Sequence, residues 1–271
     1  MGYKLTRWTI LAVYASLIII PVMVVMLGSF KTMSELFEAP FALPGQWRVQ
    51  NYVDVLTTYN MDQAFANSVI VTASSVFTTL LLGSMAAYGV SRLRGWKSAL
   101  IFGFLVLGMA VPAQANMIPQ FVLFDRLGLL NSLFGLVLIN VVTGLPVSTF
   151  IMGGFMRTLP NEMFEAAAVD GVGPGRAYLN IAIPLSLPSI AATAIFLFVI
   201  QWNELLYPLL FIQSPDKQTI PLRLLNFQGE FLTNYPLLFT GVGIASIPIT
   251  IAYVFLQRYF VEGLTSGAVK G

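Results

Sequence analysis

Arg157-Thr158-Leu159-Pro160-Asn161-Glu162-Met163-Phe164-Glu165-Ala166-Ala167-Ala168-Val169-Asp170-Gly171 is a charged island between two long apolar stretches. Thr158 can cap a helix, and Pro160 is tolerated in a first turn. Glu162 and Glu165 sit near the positive end of the helix dipole, worth about 0.3–1 kcal/mol each. Ala166 to Ala168 are the strongest helix formers, and Gly171 can adopt the left-handed conformation that ends a helix. Gly173-Pro174-Gly175 then forces a turn, and a second short helix leads to Pro184 and Pro188. Leu159, Met163, Phe164 and Ala167 share one stripe at helical spacing. Such a stripe must be covered, either by the chain's own helices or by a groove on a partner. Periodicity leaves both open.

Outward from this island the chain is apolar. Of its 271 residues 57% are hydrophobic and 10% charged, against roughly 25% charged in a soluble domain. That excludes a soluble enzyme and a disordered chain. A net charge of +2 is no footprint for nucleic acid. With no Cys and no His, the chain has no disulfide framework, no thiolate metal site and no imidazole base. Windows free of Asp, Glu, Lys and Arg cover residues 8–30, 63–91, 98–124, 127–156, 177–203 (running on past Glu204 to Ser214) and 231–257. A bilayer-crossing helix needs about 20 such residues. The expected fold is therefore an all-α integral membrane protein with six transmembrane helices. The first window follows Lys4 and Arg7, but it exceeds the roughly 7–15 residues of a signal-peptide core and no small-residue cleavage site follows. It reads as a retained helix kinked at Pro21. Lys4, Arg7, Arg92, Arg94, Lys97, Arg157, Arg176, Arg258 and Lys270 fall on the side of the termini. Lys31, Arg48, Arg126, Lys217 and Arg223 fall on the other. The excess places both termini in the cytoplasm.

Glu165-Ala166-Ala167, Asp170-Gly171 and Ile181-Ala182-Ile183-Pro184 resemble the EAA loop of ABC-importer permeases, with Ile183 where Leu is usual. Ser29-Phe30-Lys31, Phe65-Ala66-Asn67-Ser68, Gly128-Leu129-Leu130-Asn131-Ser132, Trp202-Asn203-Glu204 and Tyr207-Pro208-Leu209-Leu210 are similar to the carbohydrate-uptake branch, in particular to the smaller maltose-permease subunit. So is the tail from Gly263 to Gly271, although Glu262 stands where Arg is expected. The resemblance implies the type I ABC-importer transmembrane-domain fold in a bacterial or archaeal cytoplasmic membrane. It implies an N-terminal helix and extracytoplasmic segment over 1–62, a permease core over 63–260 with the EAA loop at 157–188, and a cytoplasmic tail over 261–271. The implied partners are a second, related permease subunit, an ATPase dimer docked on the EAA loop, and an extracytoplasmic sugar-binding protein. Met163, Phe164, Glu165, Ala166, Ala167, Asp170 and Gly171 would couple to the ATPase. Gly263, Thr265, Gly267 and Lys270 would reach between the ATPase subunits; a frayed tail is the alternative. No cofactor is expected on this chain, and ATP and Mg would sit on the partner ATPase. Its own residues agree, since none of Lys4, Lys31, Lys97, Lys217 or Lys270 follows a glycine, so the nucleotide-binding Gly-Lys-[Ser/Thr] loop is absent. The chain is expected to be a transport subunit and not an enzyme.

Glu204 is the one carboxylate within an otherwise apolar window, and such groups face a cavity or a partner. Gln201, Trp202, Asn203 and Tyr207 accompany it. Amides, a carboxylate and aromatic faces suit a neutral sugar; alternatively Glu204 lies at the outer interface, with Trp202 and Tyr207 as belt anchors. The loop 212–232, with Pro215-Asp216-Lys217-Gln218 and Gly229-Glu230, and the segment 31–62 are candidates to touch the binding protein. No basic residue lies in the spans, which disfavours a glycerol-phosphate-type substrate relative to a neutral oligosaccharide. An ion-coupled secondary transporter would need ionisable groups near the midplane, for which one off-centre Glu is thin provision. An enzyme would need paired carboxylates, a metal cluster or a nucleophile with its base.

Overall fold

A computed structural model describes residues 2–93, 95–228 and 233–268. Its elements are α1 (Gly2–Gly28), α2 (Met33–Glu38), α3 (Gln50–Thr57), α4 (Met61–Arg92), α5 (Trp96–Leu107), α6 (Met117–Arg126), α7 (Leu133–Met156), α8 (Asn161–Val169), α9 (Pro174–Ala177), α10 (Ile183–Leu185), α11 (Leu187–Trp202), α12 (Leu206–Phe211), α13 (Ile220–Leu224) and α14 (Tyr235–Ala268). Among the described residues the only strand-like pairing is an isolated bridge between Gln228 and Thr233. The chain is all-α.

Among the described residues four helices, α1, α4, α7 and the first part of α14, are long and apolar enough to cross a bilayer, and two bent pairs make six if each pair counts as one crossing. The charge-free windows give no sign of these two bends. The third crossing turns by 83° between α5 and α6, where Val111 is extended ahead of Pro112, as the proline ring requires of the residue before it. The fifth turns by 76° before α11; Tyr178–Ala182 forms a π-helical turn and Pro188, without an N–H, sits at the start of the new helix. The fifth span also stops at Trp202 instead of running on to Ser214, and the fourth begins at Leu133, not 127.

By contact density the chain divides into two units. The first, residues 1–66 and 219–249, contains the Ser29-Phe30-Lys31 motif. The Ser29 carbonyl accepts from Asn51 Nδ2 at 2.8 Å and Thr240 Oγ1 at 3.1 Å. Lys31 is fully buried, and its Nζ donates to the carbonyls of Ala39 at 2.7 Å and Pro40 at 3.3 Å. The Phe30 ring lies 4.9 Å from Tyr52 and 5.2 Å from Trp47. The motif therefore pins the irregular segment after α1, since a buried polar group is retained only where it is hydrogen-bonded.

The second unit, residues 67–218 and 250–271, packs α7 against α5 and α11. Its Gly128-to-Ser132 motif has three separable jobs. Gly128, at φ +66°, ends α6; the Gly128 N–H donates to Asp125 O and the Leu129 N–H to Phe124 O, the paired bonds of a Schellman end. Ser132 caps α7. Between them Asn131, at φ +51°, fastens a distant loop. Its Oδ1 accepts from the N–H groups of Gln213 (3.2 Å) and Ser214 (3.0 Å), and its Nδ2 donates to Ser214 Oγ at 2.6 Å. Lys217 Nζ donates to the Asn131 carbonyl at 2.9 Å. Asn67 holds the same loop from α4, its Nδ2 donating to the carbonyls of Asp216 (2.8 Å) and Gln218 (2.9 Å). Gly229 and Glu230, in the later part of that connection, lie outside the described residues, as does Arg94.

Candidate functional site

The charged island folds as α8, a turn and a second helical arm, as its residues predict. The α8 end is a full Schellman motif: the Gly171 N–H donates to Ala168 O at 3.1 Å and the Val172 N–H to Ala167 O at 2.8 Å, with Gly171 at φ +76°. Pro174 opens the second arm. Thr158 has a different place from the one expected of it. Its hydroxyl donates back to Phe155 O at 2.8 Å, closing α7, and α8 starts after Pro160 without a side-chain cap.

The apolar stripe divides. Ala167 is buried, Leu159 packs on the core cluster of Ala87, Met152 and Met156, and the Phe164 ring faces the Arg92 guanidinium at 4.0 Å. These three are covered by the chain itself. Met163 is 42% exposed and Val169 is 88% exposed, and together with Ala166 they form the outer face at spacing i, i+3, i+6. Glu162 and Asp170 fall within the same arc of the helix, and Glu165 at its edge. Sequence reasoning missed Val169; its signal was a β-branched apolar residue next to the capping turn. Phe164 and Ala167, expected to couple to the ATPase, thus also have neighbours within the chain, the Arg92 guanidinium for the Phe164 ring.

A second candidate site is a cavity of about 170 Å³ between α7, α11 and α12. Asn140, Thr143, Gly144 and Val147 line it from α7, Phe196, Leu197, Ile200 and Gln201 from α11, and Glu204 and Tyr207 from the break beyond. Gln201 Nε2 donates to Asn140 O at 3.4 Å, and its Oε1 is buried with no hydrogen-bond partner, an acceptor available to a ligand hydroxyl. Tyr207 donates to Gln120 Oε1 at 3.0 Å. Glu204 lies outside any span helix; its Oε1 accepts from the N–H groups of Leu206 (2.8 Å) and Tyr207 (3.2 Å) and so starts α12. Trp202 and Asn203 do not line the cavity. The Trp202 ring stacks on Phe198 at 5.6 Å, and Asn203 Nδ2 donates to Val199 O at 2.7 Å. Asn140 and Thr143 escaped sequence reasoning because two neutral polar residues barely alter the mean hydropathy of an apolar window.

Helix α14 carries its backbone to Ala268, so Gly263, Thr265 and Gly267 lie on its last turns; Lys270 lies outside the described residues.

Residues 79–266 match the family model described as binding-protein-dependent transport system inner membrane component. The chain is 32% identical to the diacetylchitobiose uptake system permease protein NgcG of Streptomyces coelicolor over 96% of this chain and 87% of that one. It is 31% identical to the multiple sugar-binding transport system permease protein MsmG of Streptococcus mutans, over 97% and 96% of the two chains. The fold superposes with a TM-score of 0.81 on a chain of a bacterial ABC transporter that imports the acidic polysaccharide alginate, at 21% identity and over 95% of this chain and 96% of that one. That likeness shows the architecture, the transmembrane domain of a type I ABC importer. A six-crossing helical chain with a capped helix–turn–helix between its fourth and fifth crossings, matched over most of its length, thus belongs to the inner-membrane components of binding-protein-dependent transport systems.

Proposed function

We propose that this chain is one of two permease subunits of an ABC importer for neutral oligosaccharides in a bacterial or archaeal cytoplasmic membrane. Both termini and α8 lie on the cytoplasmic side, where the Lys and Arg excess falls. ATP and Mg are bound and ATP is hydrolysed on a separate ATPase dimer, and a binding protein delivers substrate outside. The observation that carries the reading is the outer face of α8, whose Met163, Ala166 and Val169 are left uncovered beside a rigid turn. An apolar helix face of this kind fits a groove on a partner. Nucleotide-driven closure of the ATPase dimer displaces α8, and the crossings switch between inward- and outward-facing states as a bistable assembly biased by nucleotide and substrate. The C-terminal end of α14 extends toward the same ATPase partner. The substrate class is supported by relatives named for diacetylchitobiose, multiple sugars, and melibiose, raffinose and stachyose. It is also supported by a cavity that offers amides and hydroxyls but no cation. The loop braced by Asn67 and Asn131 would meet the binding protein, and the segment 31–62 is a further candidate for that contact; a transporter of similar fold has been solved in complex with a periplasmic protein carrying an alginate pentasaccharide.

Two measurements test this. Val169→Asp places a charge in the apolar contact and is expected to abolish co-purification of the ATPase subunit while the permease still inserts and is extracted normally; retention of the ATPase would refute docking through α8. Gln201→Ala removes the unpaired acceptor and is expected to raise the KM for sugar uptake about 3- to 10-fold, the worth of one hydrogen bond. An unchanged KM would take the cavity out of the sugar pathway.

A further inference from the structure

Three residues on one face of α4, spaced i, i+4 and i+8, hold both arms of the helix–turn–helix. At the first, Ser84 Oγ and the Tyr178 hydroxyl are 2.7 Å apart. At the second, the Tyr88 ring lies 6.2 Å from Phe164 and 5.4 Å from Tyr178, and its hydroxyl donates to Pro174 O at 3.2 Å. At the third, Arg92 lays its guanidinium on the Phe164 ring, 4.0 Å from the centroid. The guanidinium also donates to Asn161 Oδ1 and to Met156 O, each at 3.2 Å. Phe164 belongs to the arm before the turn, and Pro174 and Tyr178 to the arm after it. One side chain, Arg92, thereby joins the end of α4, the end of α7 and the start of α8.

We propose that Ser84, Tyr88 and Arg92 form a rack that passes the displacement of α8 into the α4 crossing, with Arg92 as the positioning residue that sets how much of each ATP-driven stroke reaches the bilayer. The inference rests on α8 being the helix that docks on the ATPase. Arginine is required by the geometry: a planar fork donates in two directions within its plane while its face rests on an aromatic ring. Lysine keeps the charge but is a single point donor and offers no flat face to stack. A rack holds both arms of the turn. If only one arm were fixed, a push on α8 would be absorbed by rotation about the turn instead of carried to the crossing.

The test uses the whole importer, both permease subunits, ATPase and binding protein, in proteoliposomes. Arg92→Lys and Tyr178→Phe are compared with wild type for ATPase co-purification, basal ATP hydrolysis and sugar taken up per ATP hydrolysed. Expected are an intact complex, unchanged basal hydrolysis and a fall in uptake per ATP of about fivefold, within the range by which substitutions in a packed coupling network act. The double variant is expected to be no worse than the poorer single one. Unchanged uptake per ATP in an intact complex overturns the rack, and so do independent, multiplying losses. Loss of the ATPase from Arg92→Lys also overturns it, because Arg92 would then support docking and not transmission. Failure of the docking reading shows separately, as retention of the ATPase by Val169→Asp.

Discussion

Gly171→Val is expected to cut sugar uptake by at least about tenfold and to abolish the stimulation of ATP hydrolysis by loaded binding protein. The residue holds φ +76°, a region that a β-branched side chain enters only at a cost of about 1–3 kcal/mol. A Cβ at Gly171 would meet nothing within 4 Å, so the penalty is in the backbone and not in a clash. The chain can escape it only by giving up the two bonds that close α8, from Gly171 N–H to Ala168 O and from Val172 N–H to Ala167 O. Once they are lost, the direction of the second arm relative to α8 is no longer fixed, and a push on α8 is no longer delivered along one line. Gly171→Asn separates the causes, since asparagine tolerates the left-handed region and is expected to keep most of the uptake. Normal substrate-stimulated hydrolysis by Gly171→Val, with the ATPase bound, would remove the turn from the mechanism.

Asn131→Ala carries the second large effect. It deletes three side-chain hydrogen bonds, strands the N–H groups of Gln213 and Ser214, and leaves alanine at φ +51°. At about 1 kcal/mol for each bond and a similar amount for the backbone, the loop loses about 2–4 kcal/mol of local stability. The expected result is rapid protease cleavage within 213–218 and loss of stimulation by the binding protein, with basal ATP hydrolysis retained. Asn131→Asp keeps the acceptor oxygen and the tolerance for positive φ and is expected to restore most of both. Asn131→Gly keeps only the conformation and is expected to fail. If Asn131→Ala resists protease like the wild type, the loop is held by Asn67 and Lys217 alone.

The contrast between these two positions shows how far a sequence could be read. Gly171 was legible because its job is local: an alanine-rich run, then Asp-Gly, then Gly-Pro-Gly allows one kind of helix end. Asn131 stood in a motif whose meaning was hidden, since the groups it satisfies lie more than 80 residues away at Gln213 and Ser214. Glu204 was legible only in part: it lines the cavity, but that the chain breaks after Trp202 and the carboxylate starts the next helix could not be read from the window. Window averages register apolarity, and a break that costs only three residues of helix barely alters the average.

The sequence by itself determined that the chain is helical and lies in a membrane, how many times it crosses, and that a capped helix stands between the fourth and fifth crossings. Each of these follows from local quantities: apolar length, the absence of charge, and the φ preferences of glycine and proline. Only the tertiary structure decided which side of that helix is turned inward, which crossings are bent, and where the polar residues of α7 and α11 meet. A helical period states that a face exists but not what covers it. Whether Phe164 meets a partner or the guanidinium of Arg92 depends on where the end of α4 lies, and no spacing along the chain encodes that distance.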